Sequence, residues 1–212
     1  MPKSNGGSPY HCVRAKGCAS LACGSLLAAL VGRRSTQTLG IGFVEFEFKC
    51  VSCGQVHRGI PTFGANAPLS YYDVPEQERG KRCSLGTDDC VIDEKWFFIR
   101  GSIEIPVHGE TEPFIWGVWV SLSEANFRQW VACFDAPKRS HIGPFFGWLN
   151  AWLKPYPDTI NLKTQVHLRD KGTRPYIELE PTDHPLAVEQ RDGISKQRVA
   201  EIYAQMMHDD AA

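Results

Sequence analysis

Val44, Phe46 and Phe48 alternate with Glu45, Glu47 and Lys49, the two-residue period of a half-buried strand. That strand runs straight into Cys50-Val51-Ser52-Cys53-Gly54, followed by a turn-rich stretch with Gly59, Pro61, Gly64 and Pro68. A short polar helix is expected over 76–81. Residues 90–93 and 96–101 read as paired strands with a turn at Asp93-Glu94. Ile103, Ile105 and Val107 continue the second of these, with a bulge expected at Gly101. Residues 114–122 are apolar on both faces, as a central strand would be.

Ser121 and Glu124 have the spacing of a capping box, and Phe127, Trp130, Val131 and Phe134 recur at helical intervals behind them. The aromatic segment 145–153 ends at Pro155 and Pro157. Leu162, Thr164, Val166 and Leu168 alternate with polar residues, and 176–180 is the expected hairpin partner across Lys171-Gly172. Asp183 is placed to cap a short helix opening at His184-Pro185. Ser195 is expected to cap a last helix, with Ile194 and Val199 as its staple and Val199, Ile202, Tyr203 and Met206 as its buried stripe.

Strands dominate the middle of the chain and do not alternate regularly with helices. The pattern predicts an α+β fold: a mostly antiparallel sheet with two or three helices and a zinc-knuckle-like segment at 46–60. Residues 42–212 are read as one domain. Residues 1–41 are read as a poorly ordered extension, either a targeting segment or the product of a misplaced translation start.

Composition narrows the function classes. Hydrophobic residues make up 42% of the 212 residues and charged ones 22%, enough apolar material for a packed core. The net charge is -1, and residues 1–41 contain five basic residues and no acidic one, so the remainder is acidic overall. That balance argues against a nucleic-acid partner. No apolar run approaches the length of a membrane span; the best, 21–31, is broken by Cys23, Gly24 and Ser25.

The chain has eight cysteines, and five of them follow residue 41: Cys50, Cys53, Cys83, Cys90 and Cys133. An odd number containing one Cys-x-x-Cys pair favours a metal site in a reducing cytoplasm over a disulfide framework. Cys50 and Cys53 are spaced to reach one tetrahedral ion, and Gly54 permits the tight turn that follows. His57 is the expected third ligand and Cys90 the fourth, with Cys83 as the substitute. Four protein ligands imply structural zinc. Cys50, Cys53, His57 and a water would instead make a catalytic set, and the bare thiol pair a redox one.

Elsewhere, Glu180, Asp183 and His184 could form an acid–base centre, although a salt-bridged, helix-capping face accounts for the same residues. No nucleophile elbow, phosphate loop or dinucleotide fingerprint occurs.

Longer motifs carry a resemblance. Cys50-x-x-Cys53-Gly54-x-x-His57-x-Gly59-x-Pro61 is followed by Asp89-Cys90-Val91-Ile92-Asp93 and Phe97-Phe98-Ile99-Arg100-Gly101. Next come residues 116–123, 146–149 and Tyr156-Pro157-Asp158-Thr159, and finally residues 178–190, from Glu178 to Gln190. Over residues 46–208 these resemble a bacterial family known as domain-of-unknown-function family 2199. The resemblance implies a bacterial protein with Cys50, Cys53, His57 and Cys90 in its pattern, and implies no activity. The expected function is a cytoplasmic, zinc-stabilised module that binds a protein or a small ligand. The competing expectation is a hydrolase-like enzyme using the Glu180, Asp183 and His184 region.

Overall fold

A computed structural model describes residues 10–13 and 46–208. The expectations for residues 1–41 lie outside the described residues, apart from β1 (Tyr10–Val13), an edge strand pairing antiparallel with β4 (Thr62–Ala65).

The centre of the fold is a ring of five strands: β7 (Trp96–Ile105), β8 (Phe114–Leu122), β9 (Phe145–Leu149), β10 (Lys163–His167) and β11 (Tyr176–Leu179). Neighbours pair antiparallel from β7 round to β11, and β11 closes the ring by pairing parallel with β7 at Tyr176 and Ser102. Two branches leave the ring. β4 pairs parallel with the first half of β8, while β6 (Asp89–Ile92) and β5 (Cys83–Leu85) extend the first half of β7. The chain is therefore α+β, as expected, and most of its strand pairings are antiparallel, but the sheet is mixed, with parallel pairings of β4 with β8 and of β11 with β7, and it closes into a ring. Long connections, from β4 to β8 and from β7 to β11, let these strands return in parallel.

Alternation along each strand fills the ring. Ile99, Ile103 and Ile105 of β7 and Phe114, Trp116, Val118 and Val120 of β8 point inward with Phe145, Leu149, Val166 and Ile177. A second, smaller core lies outside the ring wall, where Phe98, Trp119, Cys90, Ile92, Ala65 and Val74 meet.

Gly101 is not at a bulge: β7 pairs with β8 without interruption from Phe97 to Ile105. Its place is the corner where β7 leaves β6 and takes up β11, and a Cβ there would lie 2.5 Å from Ile177 Cδ1. Glycine is required by the close approach of β11.

Among the described residues five helices, more than the two or three expected, decorate the ring: α1 (Leu69–Asp73), α2 (Glu76–Arg82), α3 (Glu124–Ala132), α4 (Pro185–Asp192) and α5 (Lys196–Met207). Their caps refine the sequence reading. α3 is capped by Ser123, whose Oγ accepts the Asn126 N–H, because Ser121 is still paired within β8. The helix ends at Ala132, so Phe127 and Trp130 are buried and Val131 and Phe134 remain exposed. α4 is capped by His184 rather than Asp183, with Pro185 at its first position. Ser195 caps α5 as expected. The aromatic segment after residue 144 is the strand β9. No helix of the described residues is long and apolar enough to cross a membrane.

Two clamps fix the helices. Arg139 is 1% exposed, and its guanidinium donates to the carbonyls of Arg169, Phe134 and Thr173, tying the end of α3 to the loop after β10. Glu189 of α4 accepts from Tyr156 Oη at 2.6 Å and from Arg198 Nε of α5 at 2.8 Å. Burial, with the Glu189 carboxylate alongside, pushes the Tyr156 phenol far above its ordinary pKa, so it stays a donor.

Candidate metal centre

A two-stranded hairpin, β2 (Glu47–Lys49) and β3 (Val56–Arg58), forms a separate small sheet against the ring. Phe46 and Phe48 are buried in the main core, which anchors β2. The loop between the strands is the Cys50–Gly54 turn. Gly54 N–H donates to Cys50 O at 3.0 Å, and Cys50 N–H donates to Gln55 O at 2.9 Å. Gly54 has φ +70°, in the left-handed region where a residue without Cβ is least strained.

This turn aims donors at sulfur. Burial pushes the Cys50 thiol up, but hydrogen bonds from the backbone N–H groups of Cys53 and Ser52, and from the Cys53 side chain, outweigh it and bring its pKa below the ordinary value. A lowered pKa favours the thiolate, the form that ligates a metal.

His57 lies in β3 opposite Phe48. Alternation turns Val56 and Arg58 outward and His57 inward, where its ring stacks on Phe48 with centroids 5.4 Å apart. Tyr203 of α5 packs on it at 4.4 Å. One residue past α5, the N–H of His208 donates to Ala204 O, and its ring meets Tyr203 edge-on.

Cys50, Cys53, His57 and His208 bring one donor atom each to within 4.8 Å of one another. Bonds of about 2.3 Å to sulfur and 2.05 Å to nitrogen, at a tetrahedral angle, place two donor atoms about 3.6 Å apart. Cys53 Sγ and His57 Nε2 are 3.6 Å apart. In metal-free protein the same pair would share an S–H···N hydrogen bond. His208 Nε2 is buried and has no hydrogen-bond partner. A buried imidazole nitrogen without a hydrogen-bond partner, beside two thiols and a second imidazole, fits a metal-ligand set.

Of the expected ligands, the structure brings together Cys50, Cys53 and His57. Cys90 is not with them. It is fully buried in the second core, where burial, the neighbouring Cys83 and Asp89 push its thiol up to about 12. Cys83 packs against that same core, and burial raises its thiol too. The place expected for Cys90 is taken by His208. No short motif marks His208, which stands alone just past the last helix. Nor does the family match reach it, since that match ends at Ile194.

The other candidates are engaged structurally. Glu180 pairs with Lys163 at 3.3 Å, and both are half exposed. His184 Nδ1 accepts the Leu186 N–H as the cap of α4, while its Nε2 is buried without a partner. Asp183 is exposed at the same turn. A cavity of about 450 Å³ on the ring wall contains Glu104, Arg169 and Tyr176; there Arg169 pairs with Glu104 at 2.7 Å and lies over the Tyr176 ring.

A family model described as an uncharacterised protein conserved in bacteria, domain-of-unknown-function family 2199, matches residues 49–194. The match takes in Cys50, Cys53 and His57 and stops before α5. No curated protein and no solved structure matches the chain.

Proposed function

We propose that this chain, which belongs to domain-of-unknown-function family 2199, is a binding module whose knuckle hairpin and last helix are fastened together by a structural zinc ion. The observation that carries this reading is the convergence of four donors, Cys50, Cys53, His57 and His208, from two distant parts of the chain. Two thiolates and two imidazoles suit zinc better than a hard cation such as magnesium. Four protein ligands leave no open position for water or substrate, so the ion is structural. A reducing cytoplasm is the matching compartment, since Cys50, Cys53, Cys83, Cys90 and Cys133 are free thiols.

The reading is tested by elemental analysis of the full chain, purified without a polyhistidine tag. About one zinc per chain is expected, with a fall in melting temperature when a strong chelator removes it. Protein that carries no metal after purification, takes up none from added zinc and melts identically with and without chelator would overturn it.

A further inference from the structure

The geometry points to a second site, on the outer wall of the ring, that binds a neutral carbohydrate. It goes beyond the zinc reading and does not depend on it.

The register builds a trough. Phe98 of β7 pairs with Ser121 of β8, and Ser121 pairs with Trp148 of β9. Their neighbours Ile99, Val120 and Leu149 all point into the ring, so these three point outward. The small Ser121 side chain therefore lies on the outer face between Phe98, which is buried in the second core and lines the bottom, and the half-exposed Trp148, on strands roughly 9.6 Å apart, two strand spacings. Trp96, two residues before Phe98, extends one wall on the same face. The trough encloses about 380 Å³.

The fold leaves both indoles in water. Trp96 is 54% exposed and Trp148 40%. Two large half-exposed aromatic surfaces facing one cleft are expected to be covered by a ligand rather than left solvated.

The rim is polar and held in place. Asn150 Oδ1 accepts the Ser70 N–H at 3.0 Å, and its Nδ2 donates to Ser70 Oγ at 3.0 Å. The backbone N–H of Asn150 is fixed to Trp119 O. Asn161 and the exposed carboxylate of Asp73 complete the rim.

Charge then selects the ligand class. Arg82 is held in a fork by Asp93 at 2.7 and 2.6 Å and bonds Glu78 at 2.8 Å, so its positive charge is already matched. Among the described residues that line the trough, an anion would meet Asp73 and no cation without an acidic partner. A cation would meet Trp96 with the Lys95 ammonium already 5.2 Å from its ring centroid. A sugar ring satisfies every wall: its C–H face lies on an indole, and its hydroxyls reach serine, carboxamide and carboxylate groups. Trp148 also borders a second depression, of about 450 Å³, with Phe146 edge-on to it at 5.0 Å. An aromatic ridge with a hollow on each side fits several linked sugars better than one.

The test is a tryptophan-fluorescence and calorimetric titration of the full chain with cellohexaose, maltohexaose, laminarihexaose and chitohexaose. Choline and a proline-rich peptide are the rival classes. At least one oligosaccharide should bind. Trp148→Ala and Trp96→Ala should each weaken it about tenfold or more without changing the melting temperature. Ser121→Trp should fill the trough and abolish binding.

The proposal fails if no oligosaccharide binds at roughly millimolar concentration, if binding survives both indole substitutions, or if only a rival class binds through Trp148. Zinc is measured on the same samples. A sugar-binding protein that never holds zinc would overturn the zinc reading alone, and a zinc-loaded protein that binds no sugar would overturn this one alone.

Discussion

The imidazole of His57 lies 4.4 Å, centroid to centroid, from the phenol ring of Tyr203. This contact joins a hairpin of three-residue strands to the last helix of the domain. Such a hairpin is too short to be stable by itself. It rests on Phe46, Phe48 and Tyr203, and a metal at Cys50, Cys53, His57 and His208 would make the attachment a set of coordinate bonds.

His208→Ala and Cys53→Ser should each lower zinc content and melting temperature together, whereas Cys90→Ser should keep its zinc. Saturation at a hundred times the dissociation constant adds about 2.7 kcal/mol to stability, so metal loss should be plain in a melting curve. Elemental analysis beside calorimetry separates the variants. A Cys90→Ser protein that lost its zinc would return the fourth position to that residue.

Gly101 and Gly147 are where strands of the ring come closest. A Cβ on Gly147 would lie 2.6 Å from the Ser121 carbonyl oxygen, and one on Gly101 would lie 2.9 Å from the Pro175 carbonyl oxygen. Backbone cannot yield as a flexible side chain does. Gly101→Ala and Gly147→Ala should therefore each cost about 1–3 kcal/mol by overpacking, read as a shift in the urea midpoint.

Arg139 should not be replaceable by lysine. Its three carbonyl partners lie in three directions that a planar fork matches and a single ammonium does not. Arg139→Lys should destabilise by roughly 2–4 kcal/mol, since a buried cation would lose most of its three hydrogen bonds. A variant within about 0.5 kcal/mol of the parent would show that water or a shifted loop replaces them.

Asp170 accepts the backbone N–H groups of both Ser140 and Arg139 at 2.8 Å, and these bonds hold its carboxyl below the usual aspartate range. A folded pKa below the unfolded value gives stability that is present above about pH 3.9 and lost as pH falls through the folded pKa. Asp170→Asn should thus be less stable than the parent at neutral pH. The difference should close as the parent's carboxyl is protonated in acid, which melting curves from pH 7 downward would reveal.

Local signals in the sequence carried most of the elements. The alternation around Phe46 and Phe48 marked β2, and the turn at Asp93-Glu94 joins β6 to β7, with both residues at positive φ. The cap at Ser195 and the staple of Ile194 with Val199 marked the start of α5. Ring closure was not legible, because the pairing of Tyr176 with Ser102 depends on strands far apart in the chain. The amphipathic pattern of α3 overran its end: Phe134 has helical spacing but lies past Ala132, and Val131, within the helix, stays exposed beside the buried Trp130. At the candidate metal centre, the short-range spacing of Cys50, Cys53 and His57 could be read directly. The fourth donor could not, since only tertiary packing brings the end of α5 to the hairpin.

That long separation has a consequence for synthesis. As the chain emerges from a ribosome, Cys50, Cys53 and His57 appear first, and His208 follows only after the whole ring has been made. Domains generally begin to fold from the amino-terminal side during translation. An ion captured early would be held by three residues with one coordination position open to exchange with cellular thiols. The arrival of α5 closes that position, so ion retention reports that the last helix has docked.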